Sequence, residues 1–322
     1  MQETPLPGIL VADVGGTNAR LALVDDKGGF HAKSRYANDE FGSFNDVLRR
    51  FCADHSLAAV NTCCVAVAGP VTSGTARLTN RDWTFVPAEM AEVLPGENVR
   101  VRLINDLVAL GHALSGLGES QLSMIRPGEQ GGESNGQALV FGLGTGFNGC
   151  LAKTVDGEET IVEAELGHAS LPAQIYLELE KQIGAEVARF PTVEHLFSGR
   201  GFEQLYEALG GSQPDARLIV DRAGDGDASA GKTVELMAHA LGLLARQMVF
   251  QFLPLDGIYI AGSVSRAVLE TPARETFLNA MAFEGRFDEL VARVPVRLIT
   301  DDAAALTGMA RLGLAISQRP MA

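Results

Sequence analysis

Asp13-Val14-Gly15-Gly16-Thr17-Asn18 follows the apolar run 9–12, and Leu103-Ile104-Asn105-Asp106 closes a second strand-like run that begins at Val99 and is apolar apart from Arg100 and Arg102. The first segment predicts a strand entering a phosphate-holding turn. Gly15 and Gly16 would permit positive φ and close backbone approach, and Thr17 would add a hydroxyl donor. Asp13 cannot donate to phosphate but can hold the water shell of Mg²⁺. The second segment sets a carboxylate, Asp106, at a strand tip. A phosphate cradle and a strand-end acid are the parts that phosphoryl transfer to a hydroxyl requires: one positions the nucleotide, the other takes the proton of the attacking oxygen. Each segment also has a plainer reading. The glycine turn is equally an ordinary hairpin turn, and Asp106 suits the N-cap of a helix over 107–117, a role compatible with that of a base.

Three further segments carry polar chemistry. Phe141-Gly142-Leu143-Gly144-Thr145-Gly146-Phe147-Asn148-Gly149 is a second glycine turn after a strand. Its GxGxxG match would need a helix next, and 150–154 reads instead as a strand, so a strand–glycine–strand clasp for phosphate is expected rather than a dinucleotide fold. Glu165-Leu166-Gly167-His168 sets a carboxylate and an imidazole three residues apart, a pair able to bond vicinal hydroxyls; read alone, His168 is a satisfied structural histidine and Glu194 a surface acid. The run from Gly226 to Thr233 fits GxxxxGK[ST] ahead of a long helix, but 216–222 looks helical, and Asp225 and Asp227 would stand where phosphates belong. A polar interhelical loop capped by Ser229 or Thr233 is the expectation there.

Several elements must hold these groups. Strands are expected over 9–14, 20–24 and 30–36, with a hairpin turn at 25–29, then over 62–68, 75–78 and 99–104. Ser43 caps a helix through Val47, Leu48 and Phe51. Beyond Asp106 a helix over 107–117 is followed by an exposed loop over 127–136 and strands over 138–141 and 149–154. Helices are then expected over 175–183, 201–209, 216–222 and 234–252, strands over 257–261 and 296–299, and a terminal helix over 302–316. The order βββαβα implies an α/β class with a sheet that begins antiparallel.

A length of 322 residues accommodates two domains, and 46% hydrophobic content is ordinary for a globular chain. The net charge of −14 argues against a nucleic-acid surface. It also means that a phosphate site must rely on metal ions and backbone N–H groups. Cys52, Cys63, Cys64 and Cys150 lack metal spacing and read as free thiols in a reducing cytosol. No stretch has the length of a membrane span, and the N-terminus lacks the pattern of a signal peptide, so a cytoplasmic protein is expected.

Taken together and in order, these segments resemble the bacterial glucokinases of the hexokinase, actin and heat-shock-protein ATPase superfamily. Asp13 to Asn18 resembles the first phosphate motif, Thr79-Asn80-Arg81-Asp82-Trp83-Thr84-Phe85 the TN-x-x-W-x-F segment, and Ile104-Asn105-Asp106 the sugar and catalytic motif. Gly142 to Gly146 resembles the second phosphate motif, Glu165 to His168 the E-G-G-H sugar motif, Glu194 with Leu196 to Gly199 a further sugar segment, and Tyr259 to Ser263 the adenosine motif.

The resemblance implies a two-domain actin-like (ribonuclease H-like) α/β fold with a cleft between its domains. Residues 1–106, completed by 303–322, would form the small domain and 107–302 the large one. It implies ATP-dependent phosphorylation of glucose at its 6-hydroxyl, with Asp106 as general base and Asn105, Glu165, His168 and Glu194 on sugar hydroxyls. Asp13 would support Mg²⁺; the backbone of Gly15, Gly16 and Thr17, with Gly144, Thr145 and Gly146, would meet phosphates; Gly262 would lie near adenosine. A homodimer is expected, with a sugar as substrate and no nucleic acid or membrane partner. The chain departs from the family pattern at Ala12, at Asn148 (an Asn tolerant of positive φ, replacing glycine), at Leu166 beside the sugar and at Ser263. A kinase for another hexose or an N-acetylhexosamine, and a sugar-binding regulator without catalysis, are the alternatives.

Overall fold

The computed structural model describes residues 8–78, 81–129, 133–282 and 284–318. The chain divides into two α/β units. The first runs to Gly118 and resumes at Asp301; the second is Glu119–Thr300.

In the first unit, β1 (Gly8–Val14), β2 (Asn18–Val24) and β3 (Phe30–Ala37) form an antiparallel meander. Helix α1 (Phe44–Asp54) is capped by Ser43, whose hydroxyl accepts from the Asp46 N–H. It leads to β4 (Val60–Val67), which pairs parallel with β1. A small sheet of β5 (Val71–Thr72), β6 (Thr75–Arg77) and β7 (Thr84–Phe85) and helix α2 (Pro87–Val93) precede β8 (Arg100–Asn105). The main sheet has the order β3-β2-β1-β4-β8.

β1 is apolar throughout because both of its faces are covered. Leu10, Ala12 and Val14 join a core with Val47, Leu48, Phe51 and Met90. On the other face, Ile9 lies under Gly313 of the C-terminal helix (Ala304–Ser317). That helix packs on α3 (Asp106–Ala113), so the unit continues past Asp106 and α3 belongs to it. Where they cross, a Cβ on Gly308 would fall 1.8 Å from the Ala109 carbonyl oxygen. Trp83 and Phe85 are core residues; Thr79 and Asn80 of the expected motif, and 319–322 of the expected small domain, lie outside the described residues.

The second unit is built on β9 (Leu122–Arg126), β10 (Gln137–Leu143), β11 (Phe147–Val155), β12 (Glu158–Glu163), β13 (Gly257–Ala261) and β14 (Val296–Ile299), in the order β12-β11-β10-β13-β14-β9. The sheet is mixed: β10, β13 and β14 run parallel, while the hairpin β10–β11, β12 and β9 are antiparallel. Its helices are α4 (Ala173–Ile183), α5 (Val193–Leu196), α6 (Gly199–Ala208), α7 (Ile219–Gly224), α8 (Ala228–Phe252), α9 (Ser263–Leu269), α10 (Arg274–Met281) and α11 (Asp288–Arg293). The buried side of α8, including Met237, Leu241, Leu244 and Met248, runs through the core of this unit.

Helix α8 starts six residues earlier than its apolar pattern suggested, and its cap is Asp227, which accepts from the Ala230 N–H at 2.9 Å. Ser229 and Thr233, the expected caps, both lie inside the helix, and the Thr233 hydroxyl donates to the Ser229 carbonyl. Gly231 and Lys232 are helical as well, and the element before them is α7, a helix rather than a strand. The GxxxxGK[ST] pattern is therefore not a phosphate loop. Among the described residues no helix is long and apolar enough to cross a membrane, and Cys52, Cys63, Cys64 and Cys150 are free thiols.

The crossing at Gly308 predicts that Gly308→Ala, which overpacks a helix–helix contact, costs about 1–3 kcal/mol. A lowered urea midpoint with an unchanged slope is the expected reading; an unchanged midpoint would contradict this packing.

Candidate active site

In the first unit the parallel strands end together: Val14 is in register with Val67, and Val67 with Asn105. Ligands of α/β sheets gather outside such carboxyl ends. Asp13 stands one residue before the end of β1, on the face of Ile9. Its side chain is mostly buried and meets Arg20 of β2, its register partner across the hairpin, at 3.3 Å. Loss of water pushes its pKa up; the charge and hydrogen bond of Arg20 oppose this, and nearby Asp302 adds to it. The desolvation outweighs the ion pair.

Asn105 caps α3: its Oδ1 accepts from the Leu107 N–H at 2.9 Å, and its Nδ2 donates to the Gly69 carbonyl. The expectation that Asp106 would be the cap is corrected by one residue. Asp106 is the first residue of the helix, and its Oδ1 also accepts from the Leu107 N–H at 3.0 Å. Desolvation first, and the negative charge of Asp13 second, push the Asp106 carboxyl up to about 7; backbone hydrogen bonds and Asn105 oppose this. A carboxyl poised near neutrality suits a general base.

The turn between β1 and β2 closes through Gly15 N–H to Asn18 O, so the Gly15 amide is spent inside the turn, which leaves Gly16 and Thr17 at its tip. Neither Gly15 nor Gly16 has positive φ, contrary to the reason first given for them. Asn38, not anticipated from the sequence, braces the turn by donating from Nδ2 to the Gly15 carbonyl at 2.8 Å.

In the second unit the hairpin β10–β11 turns through Gly144, Thr145 and Gly146, with Thr145 exposed and the Gly144 N–H donating to the Gly146 carbonyl. Three segments dock on this hairpin. Gly262, with φ of +100°, sits so close to Leu143 that a Cβ would come within 1.9 Å of its carbonyl oxygen. Glu194 of α5 is half-buried, not a surface acid, and accepts from the Phe147 N–H at 2.9 Å. The turn from Glu165 to His168 lies on β11, where a Cβ on Gly167 would meet the Phe147 carbonyl oxygen at 2.2 Å. Glu165 and His168 are both exposed. Leu166 is partly buried and packs against the apolar core. Asn148 lies in β11 opposite Gly142, so tolerance of positive φ is not its use. Ser263 opens α9 and is exposed.

The first unit thus gathers Asp13, Gly15, Gly16, Thr17, Asn105 and Asp106. The second gathers Gly144, Thr145, Gly146, Glu165, His168, Glu194 and Gly262. Arg20, Asn38 and Asp302 were missed from sequence. Only Arg20 had a signal, since counting back across the hairpin sets it opposite Asp13. Asp13 offers carboxylate oxygens of the kind Mg²⁺ takes, and that ion binds through one or two carboxylates plus phosphates and water. Among the described residues no cluster of His, Cys, Asp or Glu forms a preformed metal cage.

A family model described as Glucokinase matches residues 10–315. The "Bifunctional protein glk" of Burkholderia lata is 32% identical over 94% of this chain, which covers 48% of that protein. The chain thus spans about half the length of the first curated relatives it matches. A protein named "Glucokinase" from a Caulobacter species is 30% identical, with 94% of this chain and 93% of that one covered. Among solved structures, a glucokinase from an Antarctic psychrotroph aligns with a TM-score of 0.80 at 27% identity, covering 95% of this chain and 98% of that one.

The Asp106 carboxyl should titrate near pH 7 in carbon NMR spectra, and Asp13→Asn should bring its midpoint down; titration at the ordinary 3.8 would contradict this electrostatic setting. The sign for stability follows. The folded pKa lies above the unfolded one, so the contribution is full below about 3.8 and is lost as pH rises through about 7. Asp106→Asn should flatten that slope in pH-dependent urea melts.

Proposed function

The chain belongs to the glucokinase family, and on that premise we propose that it transfers the γ-phosphoryl group of ATP to the 6-hydroxyl of glucose, giving glucose 6-phosphate and ADP. One observation carries the reading: a carboxyl at a strand end, Asp106, raised to about 7 beside a second desolvated carboxylate. Asp106 takes the proton of the 6-hydroxyl as that oxygen attacks phosphorus. Near neutral pH it is ionised in a large fraction of molecules, yet far more basic than an ordinary aspartate. Asn105, held by Gly69 and by its capping bond, offers its amide to the sugar from a fixed position.

In the second unit, Glu165, His168 and Glu194 bind sugar hydroxyls, and the turn through Gly144, Thr145 and Gly146 meets phosphate with its backbone. The amides of Gly16 and Thr17 do the same from the first unit. Gly262 brings the start of α9 against that turn, near the nucleoside. Asp13 would hold Mg²⁺ through water, and the ion supplies neutralisation of phosphate charge when bound. Under this reading the unit through Gly118, with the C-terminal helix, is the small domain of an actin-like sugar kinase, and Glu119–Thr300 is the large one.

A coupled assay of ADP release should rank glucose above fructose, mannose and N-acetylmannosamine in kcat/KM. Its kcat/KM for glucose should rise with pH along a limb centred near the free Asp106 value of about 7. Preference for another sugar would move the specificity while leaving the mechanism; silence on all four would favour a sugar-binding regulator.

A further inference from the structure

The first two residues of β11 hold Glu194 and Glu165, the two carboxylates proposed to meet the sugar. The Phe147 N–H donates to Glu194, and the next residue, Asn148, reaches the turn that carries Glu165. Asn148 makes three hydrogen bonds there. Its Oδ1 accepts from the Gly149 N–H at 2.8 Å and the Leu166 N–H at 3.0 Å, and its Nδ2 donates to Glu165 Oε2 at 3.2 Å. The two backbone donors fix which end of the amide is oxygen, so the NH₂ must face the carboxylate.

The surroundings leave this turn little else to orient Glu165. Gly167 fixes the backbone against Phe147, and Leu166 anchors in the core beside Gly149. Glu165 itself is exposed, and an exposed Glu side chain keeps its rotamer freedom unless something holds it.

We propose that Asn148 is a positioning residue for sugar recognition: its NH₂ group sets the Glu165 carboxylate in the orientation that receives sugar hydroxyls. A glycine at this point of the strand could serve the turn of the backbone but could not make the bond to Glu165. The proposal rests on the reading of Glu165 as a sugar ligand. Asn148 acts through Glu165 and touches neither substrate.

The test compares Asn148→Asp and Asn148→Ala with the unaltered chain, by kcat and by KM for glucose and for ATP. Asn148→Asp keeps the oxygen that accepts from Gly149 and Leu166, and replaces only the donor with a second carboxylate facing Glu165. Both variants should raise KM for glucose about tenfold, equivalent to about 1.4 kcal/mol, with Asn148→Asp at least as impaired as Asn148→Ala. KM for ATP and kcat should change by no more than about twofold, the signature of lost ground-state binding. A purely structural role predicts the opposite order: Asn148→Asp would behave as the unaltered chain, and only Asn148→Ala would lose thermal stability. Wild-type KM for glucose in Asn148→Asp, or a change confined to KM for ATP, overturns the proposal. An unaltered chain that phosphorylates no sugar overturns the functional reading first, and this inference with it.

Discussion

Two carboxylates share the carboxyl ends of one sheet with little water to solvate them, and the chemistry of the first unit follows from that arrangement. Asp13 and Asp106 sit on different strands, β1 and just past β8, yet the parallel register through β4 brings those ends level. Asp13 raises the cost of ionising Asp106, and Asp302 raises that of Asp13. Arg20 relieves Asp13 in part, and the backbone at the start of α3 relieves Asp106 in part. What remains is a carboxyl pushed up to about 7, which an isolated surface aspartate would not be. The close crossing of α3 and the C-terminal helix at Gly308 keeps this geometry, since the two helices begin beside the same strand ends.

The second unit manages its acids in the opposite way. Glu165 and Glu194 keep access to water, and their orientation comes from donors on a single strand. A backbone amide at Phe147 serves Glu194, and a side-chain amide at Asn148 serves Glu165. Acids that only accept hydrogen bonds from hydroxyls gain nothing from being desolvated; they gain from being fixed. Both supports lie on β11, directly after the glycine turn, so the segment proposed for phosphate and the donors that hold Glu165 and Glu194 belong to one hairpin.

Much of this was legible in the sequence. The runs leading to Asp13 and Asp106 located their strands to within a residue or two: β1 is covered on both faces and apolar throughout, whereas β8 alternates Arg100 and Arg102 with apolar residues before its buried end. The meander 9–36 and the hairpin 138–154 were legible from alternation and turn residues. Four strands were not seen: the two-residue β5 and β7, too short to show a pattern, and β9 and β12, each at an edge of its sheet, where Glu158–Glu163 carries three glutamates, a sequence that protects an edge and hides a strand. Caps shifted by small steps, from Asp106 to Asn105 and from Ser229 or Thr233 to Asp227, since Asn, Asp, Ser and Thr compete for one position. Leu166 packs, partly buried, against the core, a direction that residue type alone does not carry. Asn148 was explained by backbone tolerance, and its use is in its side chain, which only tertiary proximity to Glu165 reveals.

The central claim is that Asp106 acts in the chemical step and not in holding the sugar. Glucose binding to Asp106→Asn by calorimetry, set beside a single-turnover measurement of phosphoryl transfer with ATP, tests it most directly. The account predicts glucose affinity within a few-fold of the unaltered chain and a transfer rate lower by about 10²–10⁴, the usual contribution of a general base. A variant that binds glucose and still transfers phosphate at the original rate would contradict it.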